Sequence, residues 1–141
     1  EQHRTLIRGT HMTQIIGKTV TVTVDRPLGS YHPEHKDMYY PVNYGYISGV
    51  MAPDGEEQDA YILGVDKAVA EFTGKVIAVI HRYDDVEEKW VVAPEDVQYT
   101  REEIRELVHF QEQYFQSEVI SAEFEGKFQD IGSCTQKPVC V

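Results

Sequence analysis

Hydrophobic and polar residues alternate along the first half of the chain. Residues 15–24 have the sequence Ile-Ile-Gly-Lys-Thr-Val-Thr-Val-Thr-Val, which places apolar side chains on one face and threonines on the other. This alternation predicts a β-strand. A turn containing Pro27 and Gly29 follows, and the tyrosine-rich segment 39–47 predicts a second strand. Three further apolar segments predict strands at 60–65, 74–82 and 89–93.

The spacing of apolar residues changes to that of a helix after Thr100. Thr100 and Glu103 match a capping box, in which the hydroxyl accepts from the amide three residues on and the glutamate reaches back. Apolar residues then recur at helical spacing, which predicts one amphipathic helix to about Val119. Five strands followed by a helix predict a mainly β fold with α, in which a C-terminal helix packs against a small closed or partly open barrel.

The length of 141 residues fits one domain that buries its own core. Residues 1–11 are polar and unpatterned, and Gly-Thr-His-Met at 9–12 resembles a cloning scar. We therefore interpret residues 1–11 as an expression leader ahead of a native start at Met12. Residues 12–121 form the predicted barrel domain. Residues 122–141 form a C-terminal tail to which the sequence assigns no role.

The chain is strongly acidic, with 24 Asp and Glu against 13 Lys and Arg and a formal net charge of -11. Such a charge repels phosphate backbones and anionic lipid, so we expect neither a nucleic acid nor a membrane partner. It does not exclude a small phosphate ester, because divalent cations invert the sign of a local site. We expect no membrane span or signal peptide and a cytoplasmic location. Cys134 and Cys140 are then reduced thiols, with a small tail disulfide as the alternative.

Two acidic clusters are the candidates for chemistry. Asp54, Glu56 and Asp59 follow the tyrosine-rich segment, and a second cluster containing Asp84 and Glu87 begins about 25 residues later. Oxygen donors without Cys or His suit Mg²⁺ or Mn²⁺ rather than Zn²⁺. The first cluster has three interpretations: a solvated acidic turn, a calcium loop without the distal glutamate of an EF-hand, or a catalytic metal site. A sheet-end turn that joined the two clusters would favour the metal site.

The tyrosines of the second predicted strand have two interpretations. Tyr40, Tyr44 and Tyr46 are two or four residues apart and fall on one face of a strand. They are core residues whose hydroxyls reach polar partners, or their phenol groups donate to a bound phosphate.

Five segments together carry a family resemblance. They are Tyr-Pro-Val-Asn-Tyr-Gly-Tyr-Ile at 40–47, Asp-Gly-x-x-x-Asp at 54–59, Gly-Lys-Val-Ile-Ala-Val-Ile at 74–80, the acidic turn before Lys89, and His-Phe-Gln-Glu-Gln-Tyr at 109–114. Over roughly residues 20–114 the chain resembles the soluble, Mg²⁺-dependent inorganic pyrophosphatases of family I. The resemblance implies an OB-like barrel and hydrolysis of inorganic pyrophosphate to phosphate at a carboxylate-held multi-metal site. It further implies Mg²⁺ as cofactor with Mn²⁺ as an alternative, a small phosphoanhydride substrate, and a homo-oligomer.

The same resemblance implies roles for individual residues. The expected metal ligands are all acidic: Asp25, Asp54, Asp59, Asp84 and Glu87. Glu56 matches the general base, and Asp59 would also bridge the metals that hold the attacking water. The expected phosphate contacts are Tyr44, Tyr114 and Lys89, of which Tyr44 also belongs to the catalytic set. Clustered divalent metals suit this reaction because they activate water and cancel phosphate charge.

The chain departs from the family's pattern at cationic positions. Pro33 and Phe115 stand where lysines belong, and the hairpin that delivers an arginine is shortened. Each missing cation removes about 1.5–3 kcal/mol of charge-assisted contact with phosphate. Lys36 is the expected replacement, and the further candidates are His32, His35 and Arg26. The alternative functions are a related phosphohydrolase with another phosphoanhydride substrate, or a non-catalytic phosphate- or metal-binding protein that has lost these cations.

Overall fold

The computed structural model describes residues 15–83 and 87–121. They form six β-strands and the helix α1. In chain order the elements are β1 (Thr19–Arg26), β2 (Asn43–Met51), β3 (Glu57–Ile62), β4 (Glu71–Arg82), β5 (Glu88–Ala93), α1 (Arg101–Glu112) and β6 (Ser117–Ser121). No helix in the described part of the chain is long and apolar enough to cross a membrane. The predicted leader and the tail with its two cysteines lie outside the described residues.

The six strands form one sheet in the order β1-β2-β3-β5-β4-β6. Because β1 also pairs with β4, the first five strands close into a barrel. β6 pairs with the last residues of β4, on the same edge as β1 and opposite β5. The pairs are antiparallel except β3 with β5, which run parallel with Tyr61 opposite Val91. The predicted fold class, a mainly β closed barrel with a helix packed against it, is confirmed.

Period-two alternation along the strands divides the apolar residues into two layers. Even-numbered residues of β3, such as Ala60 and Ile62, fill the barrel interior together with Val22 and Trp90. Odd-numbered residues such as Tyr61 lie on the outer face. There α1 covers them with its buried face, which includes Ile104 and Val108. The polar residues described below also lie on this outer face, under α1.

The end of the predicted helix is wrong. The capping box of Thr100 and Glu103 is present, but α1 ends at Glu112 rather than near Val119. Val119 instead belongs to β6 and lies opposite Ile80 of β4. It is buried in the layer beneath α1. Pairing with the long strand β4 therefore overrides the local helical spacing, and the helix is not the last element of the fold.

The second predicted strand begins later than expected. The prediction started it at residue 39, whereas β2 starts at Asn43 and continues to Met51. Before it, Tyr40 belongs to the loop between β1 and β2, where its backbone bonds to Ser30 and Gly29. Pro41 has no N–H to donate to a ladder. The other four predicted strands overlap β1, β3, β4 and β5 and differ from them at their ends, whereas β6 was not predicted.

Candidate active site

A cavity of about 520 Å³ lies between the outer face of the barrel, the C-terminal end of α1 and the loop between β1 and β2. Its wall is rich in cationic and polar side chains. The lining residues are Arg26, His32, His35, Asp37, Met38, Tyr44, Arg82, Lys89, Gln111, Tyr114 and Phe115.

Arg26 reaches this cavity because the end of β1 is irregular. The apolar residues of β1 point into the barrel, and strict alternation would send Arg26 inward after Val24. The pairing with β2 shifts at this point, so that Val24 lies opposite Gly45 but Arg26 lies opposite Tyr44. A β-bulge of this kind re-aims the side chain. The guanidinium carbon of Arg26 consequently lies 5.8 Å from the ring centre of Tyr40 and 6.0 Å from that of Tyr44.

Arg82, the last residue of β4, is only 4% exposed. Its Nε and Nη2 donate to the Glu112 carboxylate at 3.0 and 2.6 Å, and its Nη1 donates to Glu87 at 2.9 Å. The guanidinium carbon lies 3.7 Å from the ring centre of Phe115. Burial acts to lower the pKa of Arg82, but the hydrogen bonds and charge of Glu112 outweigh it and raise this pKa. Arg82 is therefore a fixed positive charge in the cavity wall.

Lys89 in β5 is also 4% exposed and connects two carboxylates. Its Nζ donates to Asp59 Oδ2 at 2.7 Å and lies 2.9 Å from Glu87 Oε1. The same Nζ is 5.8 Å from the ring centre of Tyr44. Burial acts to lower the pKa of Lys89, but its interactions with Tyr44 and Asp59 raise it. The ammonium therefore stays charged at neutral pH.

One hydrogen-bonded network joins these groups through the last turn of α1. The Tyr40 hydroxyl accepts from Arg26 Nη1 and donates to Gln111 Oε1, both at 2.8 Å. Gln111 Nε2 donates to the Tyr61 hydroxyl, which donates to Glu112, both at 2.7 Å. From Glu112 the network continues through Arg82, Glu87, Lys89 and Asp59. A satisfied buried network of this kind holds its side chains rigidly.

The loop between β1 and β2 forms the opposite wall. His32 Nδ1 accepts from the backbone N–H groups of Glu34 and His35 at 3.0 and 3.2 Å. A ring nitrogen that accepts is unprotonated, so these bonds require neutral His32. Burial, the charge of Arg26 and His35 together lower the pKa of His32. His32 therefore adds no permanent positive charge to the cavity.

The three carboxylates of the first acidic cluster, Asp54, Glu56 and Asp59, belong to two different elements of the fold. Asp54 and Glu56 are exposed in the turn between β2 and β3, where Asp54 Oδ1 accepts from the Glu56 backbone at 3.0 Å. Asp59 lies within β3, on the outer face with Tyr61, and bonds to Lys89. Asp59 thus contacts a residue of the cavity wall, whereas Asp54 and Glu56 are not among the lining residues. The proposed roles of all three stay predictions.

Carboxylates of the described residues fit only part of a metal centre. Asp25 lies close enough to Asp59 for their charges to interact: partial burial raises the pKa of Asp25, Arg26 opposes this, and Asp59 adds to it. Within residues 15–83 and 87–121, however, no three His, Cys, Asp or Glu side chains form a group that could hold a metal. Glu87 and Asp59 are both paired with Lys89. Asp84 lies outside the described residues.

The expected substrate contacts lie in different environments. Tyr44, Lys89 and Tyr114 all line the cavity, and Tyr114 is 65% exposed at its edge. Tyr44 is buried, and this burial raises the pKa of its phenol, which therefore stays protonated. Lys36 is exposed and is not among the lining residues. Its predicted contact with substrate stays a prediction.

Sequence reasoning missed the ion pair between Arg82 of the cavity wall and Glu112, in which Nη2 and Oε2 lie 2.6 Å apart. An arginine at the end of an apolar strand is usually exposed, so Arg82 gave no signal by itself. Gln111 and Glu112 did carry a signal, because they are polar residues on the buried face of a helix. Buried polar side chains need partners, and this requirement points to a network.

Comparisons with known proteins agree with this fold. A model of the inorganic pyrophosphatase family matches residues 16–133. Crystal structures of inorganic pyrophosphatases from Neisseria gonorrhoeae and Ehrlichia chaffeensis resemble the chain with TM-scores of 0.56 and 0.59 and identities of 20% and 17%. These alignments cover 79% and 77% of this chain, and 87% and 89% of the other. No curated protein sequence matches the chain. The family match spans most of the sequence, and the chain therefore belongs to the inorganic pyrophosphatase family.

Proposed function

We propose that the protein hydrolyses inorganic pyrophosphate in the cavity beside the end of α1. The observation that carries this proposal is the convergence of three cationic side chains on one cavity of a pyrophosphatase family member. These side chains are Arg26, Arg82 and Lys89. Pyrophosphate is a small polyanion, and charge-assisted hydrogen bonds from Arg and Lys are strong ligands for phosphate oxygens. The sequence had indicated Lys89 as a phosphate contact and Arg26 as a candidate replacement, and it had missed Arg82.

The residues of the cavity wall suit the binding and charge stabilisation that this reaction needs. Phosphoryl transfer depends mainly on positioning and on stabilising charge that spreads over phosphate oxygens. Arg82 and Lys89 are fixed by ion pairs to Glu112 and Asp59, so they need little reorganisation when an anion binds. Tyr44 stays protonated and offers its hydroxyl as a further donor.

The group that activates water is a separate part of the proposal. The resemblance assigns proton abstraction to Glu56, and it assigns to Asp59 the bridging of the metals that hold the attacking water. Asp59 is better placed, because its Oδ2 is bonded to Lys89 of the cavity wall. A bound divalent metal would lower the pKa of the attacking water and neutralise phosphate charge. Mg²⁺ or Mn²⁺ dependence is therefore part of the proposal, with Asp25, Asp54, Asp59, Asp84 and Glu87 as the ligands to test.

Release of phosphate from pyrophosphate tests the function directly. The purified protein is assayed with Mg²⁺, with Mn²⁺ and with a chelator, beside the variants Asp59→Asn and Glu56→Gln. We expect each variant to lower turnover by at least about tenfold. Glu56→Gln removes the assigned base, and acid-base groups typically contribute about 100-fold or more. Asp59→Asn removes an assigned metal ligand. Asp96→Asn, at an exposed position outside the cavity lining, is the matched control and should leave turnover unchanged.

The outcomes separate the alternatives. Release of phosphate from nucleotides but not from pyrophosphate would replace this proposal with a related phosphohydrolase. Phosphate binding without release from any phosphoanhydride would identify a non-catalytic binding protein.

A further inference from the structure

Among the described residues, Arg26 differs from the other two cations of the cavity because it forms no ion pair with a carboxylate. Arg82 is paired with Glu112 and Glu87, and Lys89 with Asp59 and Glu87. In the described part of the chain, no carboxylate oxygen lies within 4.0 Å of the Arg26 guanidinium. Asp25 interacts with Arg26 through its charge but forms no ion pair with it, so no described carboxylate occupies this guanidinium.

The guanidinium of Arg26 also keeps donors for a ligand. Its side-chain hydrogen bond among the described residues is from Nη1 to the Tyr40 hydroxyl, at 2.8 Å. A guanidinium has five N–H groups in a planar fork, so most of them remain for an oxyanion, which such a fork binds through two parallel bonds. By comparison, Arg82 already uses Nε, Nη1 and Nη2 on carboxylates.

The fold fixes the direction of this side chain. The β-bulge at the end of β1 turns Arg26 to the face of Tyr44. Tyr40 then connects it to Gln111 at the end of α1. The bulge fixes the backbone of Arg26, and the hydrogen bond to Tyr40 fixes its guanidinium. A side chain fixed in this way loses less conformational freedom when a ligand binds, which favours affinity. Lys36, by contrast, is exposed and is not among the residues that line the cavity.

We propose that Arg26 is the principal anion ligand of the cavity and binds a phosphate-type oxyanion through its free guanidinium N–H groups. It thereby takes the place of the cations that the family's pattern leads one to expect. The inference rests on the proposed function, because the anion is the pyrophosphate of that reaction or its phosphate product. It differs from the sequence-based expectation, which gave this role to Lys36.

Binding of inorganic phosphate in metal-free buffer tests the inference without depending on turnover. Isothermal titration should show saturable binding to the wild type. Loss of one charged donor costs about 1.5–3 kcal/mol, so Arg26→Met should weaken binding roughly 10-fold to 150-fold. Arg26→Lys keeps the charge but lacks the fork, so its loss should be intermediate. Arg105→Met, at an exposed arginine outside the cavity lining, is the matched control and should bind like the wild type. Lys36→Met tests the sequence-based alternative, and this inference expects it to weaken binding less than Arg26→Met does.

A measurement on the wild type tests the inference even if the Arg26 variants do not fold. Inorganic phosphate should protect Arg26 from phenylglyoxal, a reagent for guanidinium groups, as followed by mass spectrometry of its peptide. Unprotected Arg26, or weaker binding in Lys36→Met than in Arg26→Met, would overturn the inference.

Different results would reject the proposed hydrolysis and the proposed role of Arg26. Phosphate binding that depends on Arg26, in a protein that hydrolyses no pyrophosphate, would support the anion site and reject the proposed hydrolysis. Pyrophosphate hydrolysis whose KM is the same in Arg26→Met would support the hydrolysis and reject the role of Arg26.

Discussion

At the scale of single residues, the tyrosine-rich segment has a largely structural role. Asn43 is fully buried, and its side chain accepts from the backbone of Leu28 and Val69 and donates to that of Lys67. It thereby joins the two loops that flank β2 and β3. Tyr44 is the residue of this segment that lines the cavity. The segment therefore builds the barrel and contributes one side chain to the site.

Gly45 is required by the close approach of β1 and β2. A Cβ atom at this position would lie 1.9 Å from the backbone oxygen of Thr23. Because backbone cannot move aside as a side chain can, we expect Gly45→Ala to destabilise the protein by about 3 kcal/mol. Gly49→Ala is the comparison: its Cβ meets no atom within 4 Å, and only the positive φ of 84° opposes the substitution. That cost should be about 1 kcal/mol.

Urea unfolding of the two glycine variants measures both costs. A cost for Gly45→Ala no larger than that for Gly49→Ala would show that β1 and β2 move apart to accept the methyl group.

The sequence predicted element types better than element ends or polar partners. Strict alternation in β1 and the capping box of Thr100 are local signals, and both correspond to the observed elements. The end of α1 depends on pairing between β6 and β4, which no local pattern contains. Arg26 was a candidate cation, but its direction depends on a bulge whose register becomes visible only in the pairing of β1 with β2.

At the scale of elements, Glu112 fixes the end of α1 to the end of β4. It accepts from Arg82 through both carboxylate oxygens and from the Tyr61 hydroxyl. Removing one partner of a buried ion pair leaves the other charge uncompensated, so Glu112→Gln should destabilise the protein by about 3–5 kcal/mol. Glu106→Gln lies on the same helix at an exposed position and should change stability by less than about 0.5 kcal/mol.

A double-mutant cycle identifies the source of that cost. Glu112→Leu combined with Arg82→Met replaces both charges by apolar groups, and the pair should be more stable than Glu112→Leu alone. Strictly additive losses would show that the two side chains do not act as a buried pair.

At the scale of the whole molecule, the fold collects opposite charges at one cavity of an acidic protein. The chain has a net charge of -11, yet three cations converge on one wall. Arg82 is paired with Glu87, and Lys89 is paired with Glu87 and Asp59. The family resemblance assigns both of these carboxylates to metal. Lys89 therefore neutralises the carboxylates that would hold a divalent ion if the assignment from the resemblance is right. Metal and ammonium should compete for Asp59.

This competition makes a prediction that does not depend on catalysis. Lys89→Gln frees the Asp59 and Glu87 carboxylates, so it should tighten binding of Mg²⁺ or Mn²⁺ relative to the wild type. Asp59→Asn removes a ligand and should weaken binding by at least about tenfold, since even partners outside the ligand shell typically contribute that much. Asp96→Asn should bind metal like the wild type.

Isothermal titration and the shift of melting temperature with metal give the two readouts. If neither metal gives heat or a shift with the wild type or Lys89→Gln, the metal-binding prediction is rejected for this chain, and the buried cations alone must carry the phosphate chemistry. If the wild type binds metal and Lys89→Gln binds it more weakly, Lys89 supports the ligands instead of competing with the metal, because its ion pairs hold Asp59 and Glu87 in place. The sign of the change for this one lysine therefore decides whether the ion-paired arrangement excludes the metal or prepares its site.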